Sequence, residues 1–135
     1  MKASRLLAAL VGFGLAHLLA GDPPLDAHEF SFKVHYSRWV SYIHEHPRIN
    51  LSSSSRTYTE MAEYDAIVKL GKPVIPFAAA EMMRKDSEYG LFLGDAIIRI
   101  MGWKESDVYA ISLQDKNQRI FERLVKEGVV KQPKK

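Results

Sequence analysis

A chain of 135 residues is long enough for one domain and no more, and with 47% hydrophobic residues it can bury a single core. The absence of cysteine excludes a disulfide framework, thiolate metal ligands and lipid attachment at a cysteine. The formal charge of +3 includes Lys2 and Arg5 of an amino-terminal leader, and without them 17 cations face 16 anions, a balance that argues against a nucleic-acid partner.

The first twenty residues, MKASRLLAALVGFGLAHLLA, set Lys2 and Arg5 before an uncharged apolar run and end on small residues at Ala16 and Ala20. This is the layout of a cleavable signal peptide over residues 1–20, with cleavage after either alanine. The run from Leu6 to Ala20 contains His17 and falls short of the roughly twenty apolar residues of a membrane-spanning helix. Export to the periplasm or beyond is therefore expected, and contact with a membrane only through an uncleaved leader. Residues 21–28 read as a linker through Pro23, Pro24, Asp22 and Asp26.

Between His28 and Pro47 two periodicities compete. Phe30, Phe32, Val34 and Tyr36 alternate with polar residues as in a half-buried strand. Phe32, Tyr36, Trp39, Val40 and Ile43 stand at i, i+4, i+7, i+8 and i+11, a helical face. No second segment offers a partner strand, so a helix from about Glu29 to Glu45 is predicted, ending before Pro47. Arg48 to Arg56, with four consecutive serines, reads as a flexible connection.

Thr57 and Glu60 have capping-box spacing, which predicts a helix from about Tyr58 with Met61, Tyr64, Ile67 and Val68 on its buried face. Gly71 is the expected terminator of this helix, and Pro73 and Pro76 suit the first turn of the next, which runs through Phe77 to Met83. Such a short link predicts that the two helices form an antiparallel hairpin. A third helix follows Asp86-Ser87: Tyr89, Phe92, Leu93, Ala96, Ile97 and Ile100 form one stripe, and Leu91, Ile98 and Met101 add apolar surface elsewhere. It is expected to be the most buried helix, with Gly90 and Gly94 marking close approach of a neighbour. Asp95 and Arg99 are predicted to pair along it.

The run Leu70-Gly71-Lys72-Pro73-Val74-Ile75-Pro76-Phe77 resembles the inter-helix turn of HEAT-type α-hairpins. The layout over about residues 57–128 is similar to small uncharacterised bacterial helical proteins. The resemblance implies a packing pattern, and it occurs once, which favours a compact bundle over an extended solenoid.

Past Trp103 a polar link carries Val108, Tyr109, Ala110 and Ile111 as an apolar plug against the bundle. Asp115 and Gln118 suggest a capping box for a last helix, with Ile120, Phe121, Leu124 and Val125 as its stripe and Gly128 as its end. Residues 129–135 read as a basic tail.

The architecture expected is all-α: a compact bundle of about four helices over residues 29–128. No G-x-S-x-G, G-x-x-x-x-G-K or G-x-G-x-x-G occurs, so nucleophile-elbow and nucleotide-binding chemistry have no support. Four histidines cluster between His28 and His46, and His35, His44 and His46 are the metal candidates. However, nine residues separate His35 from His44, which at about 100° per residue turns them to opposite sides of one helix. No cofactor is expected. Trp39, Tyr42, Tyr64, Tyr89 and Trp103, aromatic residues with polar tips, are the candidates for lining a partner groove. The leading expectation is an exported, non-catalytic helical module binding a protein or peptide. The alternatives are a small metal-assisted envelope hydrolase using Glu45 with the histidines, and a membrane-anchored accessory subunit.

Overall fold

The computed structural model describes residues 26–132. The leader, most of the 21–28 linker and the last three residues lie outside them. The described residues are all-helical, with no strand: α1 (Ala27–Glu45), α2 (Pro47–Asn50), α3 (Arg56–Thr59), α4 (Ala62–Lys69), α5 (Ile75–Met83), α6 (Gly94–Met101) and α7 (Leu113–Lys126). Five of these have eight residues or more where about four helices were expected. Three 3₁₀ turns, Lys72–Val74, Gly90–Leu93 and Glu105–Val108, join them.

The helical stripe wins over the alternating pattern in α1. Phe32, Trp39 and Ile43 are buried, whereas Phe30 is 58% exposed. Asp26 caps the helix, its Oδ1 accepting from the N–H groups of His28 at 2.8 Å and Glu29 at 3.2 Å. The helix thus starts inside the expected linker, because the aspartate satisfies two of the N–H groups left open at a helix start.

The Thr57–Glu60 capping box does not form. Glu60 pairs with Arg56 at 2.9 Å, and Thr57 Oγ1 shares a 2.8 Å hydrogen bond with Ser52 Oγ. The chain breaks into extended backbone at Met61 (φ −153°, ψ 160°), so the expected single helix becomes α3 and α4. The break leaves Tyr58 buried and stacked on Phe92, with ring centroids 4.3 Å apart, and its carbonyl accepts from Trp39 Nε1 at 2.7 Å.

Gly71 does close α4, at φ 78° and ψ −167°, a conformation that side chains rarely adopt. The expected antiparallel hairpin is absent, since the 3₁₀ turn at Lys72–Val74 redirects the chain. Helix α4 packs on α1 and α6, while α5 packs on the Gly90–Leu93 turn, α6 and α7.

The third predicted helix starts later than its pattern implied, with Gly90–Leu93 as 3₁₀ and α6 beginning at Gly94. Both glycines mark close approach: a Cβ at Gly90 would overlap the Glu81 carbonyl, and one at Gly94 would lie 2.8 Å from Asn117 Oδ1 and 2.9 Å from Ile120 Cδ1. Gly94, Ala96, Ile97 and Ile98 are buried, and α6 touches α4, α5 and α7.

Asp95 and Arg99 do not pair with each other. Asp95 meets Lys116 of α7 at 3.1 Å, and Arg99 meets Asp65 of α4 at 2.9 Å. Neighbouring helices offer closer partners than the next turn of α6. Helix α7 is capped by Ser112, whose Oγ accepts from the Asp115 N–H at 3.1 Å, so it begins before the expected Asp115–Gln118 box. Of the expected plug only Val108 is buried; Tyr109 is 67% and Ile111 96% exposed. The core also outlasts Gly128, as Val129 and Val130 of the expected tail pack against it.

Candidate functional site

The surface between the serine connection, the start of the Gly90–Leu93 turn and the Glu105–Leu113 link is concave. One end is a charged cleft of about 740 Å³ between α3, α4, α6 and α7. The other is a mixed groove of about 510 Å³ between Ser52–Ser55, Leu91, Phe92 and Tyr109–Leu113. Both have Ser55, Glu105 and Lys116 in their walls, so they form one trough with a charged half and a half-apolar one.

The charged half is built from ion pairs. Arg56 meets Glu60, and Arg99 meets Asp65. Lys116, with only 14% of its side chain exposed, bridges Asp95 at 3.1 Å and Glu105 at 2.9 Å. Burial alone would lower the Lys116 ammonium, but its bonds to Glu105 and Asp95 outweigh that and hold it above the usual lysine range. The ammonium therefore stays charged and acts as a fixed strut between α6, α7 and the link before it.

The other half owes its character to side chains that the core does not take. Val108 fills the space beneath the link, which leaves Tyr109 and Ile111 facing outward. Leu91, 38% exposed, lines the same groove, as do Ser52, Ser53 and Ser55. Neither Tyr109 and Ile111 nor Glu105 and Lys116 stood out in the sequence as binding residues. The only signal was apolar character within a polar link, and it pointed inward.

The five aromatic candidates are not brought together in this trough. Trp39 and Tyr64 are fully buried and Tyr89 is 8% exposed. These three form an aromatic core, with Trp39 edge-on to Tyr64 at 5.2 Å and to Tyr89 at 6.2 Å. Their polar tips are used internally. Tyr64 donates to the Phe92 carbonyl at 2.6 Å and accepts from the Ala96 N–H at 2.7 Å, and Tyr89 donates to Asn50 Oδ1 at 2.6 Å. Burial above all, with the Asp95 charge, keeps the Tyr64 phenol protonated beyond the usual tyrosine range. Tyr42 stacks on His46 at 3.9 Å, and the Arg123 guanidinium lies 4.2 Å over the Trp103 ring.

The histidines are likewise dispersed. His44 Nε2 meets Glu88 at 3.0 Å, His46 Nδ1 meets the Tyr42 carbonyl oxygen at 2.8 Å, and His35 is half-buried on α1. Among the described residues no three His, Asp or Glu side chains are grouped to hold a metal ion.

One further polar cluster closes the α5 end. Ser87 Oγ donates to Glu81, accepts from the Gly90 N–H at 3.0 Å and lies 3.0 Å from Tyr36 Oη. Glu81 is also paired with Arg84 at 3.0 Å. Every group in the cluster has an internal partner, and it ties α1, α5 and the Gly90–Leu93 turn together. No helix among the described residues is long and apolar enough to cross a membrane. No family model matches the chain, and neither does any curated protein or solved structure.

Proposed function

We propose that the chain is an exported, non-catalytic helical module that binds a protein or peptide partner in the trough bounded by Ser52–Ser55, Leu91–Phe92 and Glu105–Leu113. The observation that carries this reading is the exposure of Tyr109, Ile111 and Leu91 around one concavity, next to a cleft whose charged groups are held in ion pairs. Exposed apolar side chains gathered around a groove with a polar surround are common contacts for a peptide or protein partner. Export rests on the charge and hydropathy pattern of the first twenty residues.

Two measurements test the two halves of the proposal. The intact mass of the protein recovered outside the cytoplasm is expected to begin after Ala16 or Ala20; a mass that includes Met1 would make it an anchored subunit instead. Envelope proteins retained by the immobilised chain are expected to be lost from an Ile111→Asp, Tyr109→Ser variant of unchanged thermal stability. Equal retention by both proteins would remove the trough from the proposal.

A further inference from the structure

The trough has a charge imbalance that specifies its occupant, and the inference rests on the trough being the binding site. Its walls carry three cations, Arg56, Arg99 and Lys116, and four carboxylates, Glu60, Asp65, Asp95 and Glu105. Arg56 neutralises Glu60 and Arg99 neutralises Asp65, whereas Lys116 is shared by Asp95 and Glu105. One negative charge is left over, and it lies where the charged and apolar halves meet. Of the two carboxylates on Lys116, Glu105 is the accessible one, its side chain 68% exposed against 29% for Asp95. Glu105 also belongs to the wall of the apolar half, beside Tyr109 and Ile111.

We propose that the partner is a segment presenting a lysine or arginine next to apolar side chains, the cation meeting Glu105 and the apolar groups covering Tyr109, Ile111 and Leu91. A cation there completes a chain of alternating charge from Asp95 through Lys116 and Glu105. An acidic residue would face Glu105 with no cation left to answer it. Ser53 and Ser55, which also line this groove, are suited to the backbone of an extended segment, which needs both donors and acceptors, whereas the Ser52 hydroxyl is held by Thr57 and the Ser54 N–H.

The probe is a set of fluorescent octapeptides with identical apolar residues and a single variable position filled by lysine, glutamine or glutamate, titrated onto the full chain at low and high salt. The lysine peptides are expected to bind at least about fivefold more tightly than the glutamate peptides at low salt, with the gap closing as salt is raised. In a Glu105→Lys variant the order should reverse, while Glu105→Gln should level it. Binding that is abolished by Ile111→Asp but indifferent to the variable position, or best with glutamate, overturns the charge inference and leaves the trough standing as a site. Binding that Ile111→Asp does not alter, or no binding by any peptide, overturns both.

Discussion

Tyr64 joins α4 to the beginning of α6 through one oxygen, which donates to Phe92 and accepts from Ala96. Removing it takes the partner from a part-buried carbonyl and a buried N–H while the ring still fills its space. Tyr64→Phe is therefore expected to cost about 1–3 kcal/mol in urea unfolding, far more than removal of an exposed hydroxyl. Gly90 is constrained in a different way, because a methyl group there would overlap the Glu81 carbonyl and Ser87 Oγ. Gly90→Ala is expected to lose about 1–3 kcal/mol by the same measurement, since backbone rather than a flexible side chain must yield. The close approach at Gly90 was legible from two glycines four apart in a predicted helix, whose cost there only tight packing against a neighbour offsets. The roles of Tyr64 and Trp39 as buried hydrogen-bond donors were not, because an aromatic residue with a polar tip has the same spacing whether its tip meets water or a distant carbonyl.

At the scale of the helix, termini decide more than interiors. Ser112 caps α7, and Ser112→Ala should destabilise the protein by about 1 kcal/mol. Glu60, with the spacing of a capping residue, instead forms an exposed pair one turn from Arg56, so Glu60→Ala should cost no more than about 0.5 kcal/mol. A comparison of the two denaturation midpoints checks the assignment; a larger loss from Glu60→Ala would mean that its carboxylate holds the start of α4. The capping signal of α7 was displaced by three residues, to Ser112, while the Thr57–Glu60 pair caps neither α3 nor α4, since its side chains find partners in Ser52 and Arg56 instead. The stripe of α1 competed with an alternating pattern, and the lack of a partner strand decided between them. A strand would have buried Phe30 and exposed every second neighbour, and a sheet with no second strand has nothing to pair with its backbone.

Taken as a whole, the molecule is held by a buried aromatic and aliphatic core and by the Lys116 strut between α6, α7 and the link before α7. Alkaline pH should reveal both. The Tyr64 phenol, ionising at 10.0 in an unfolded chain, is held higher in the fold by burial and by Asp95; the Lys116 ammonium, ordinarily 10.5, is also held higher, its two carboxylates outweighing its burial. For each group the folded state binds the proton more tightly. The stabilisation is therefore complete below the unfolded value and is lost as the pH rises above about 10. Urea unfolding at pH 8 and 11 should show that loss, and the drop should be smaller in Tyr64→Phe, which has no phenol at that position to ionise. Lys116→Met should lower stability at neutral pH by about 1–3 kcal/mol, leaving Asp95 and Glu105 without the cation that joins them.

What the chain's own order of residues determined was the all-α class, the helical face of α1, the stop at Gly71 and the close packing at Gly90 and Gly94. The stop at Gly71 and the two glycines depend on neighbours within a turn or two, whereas the helix of α1, and with it the all-α class, followed from the lack of any second segment able to pair as a strand. The split of α3 from α4, the divergence of α4 and α5, the partners of Asp95 and Arg99, and the trough itself were decided only by tertiary structure. The half-apolar side of the trough is assembled mainly from residues 52–55, 91–92 and 105–116, and no local pattern records that Val108 takes the core position that frees Tyr109 and Ile111 to face outward.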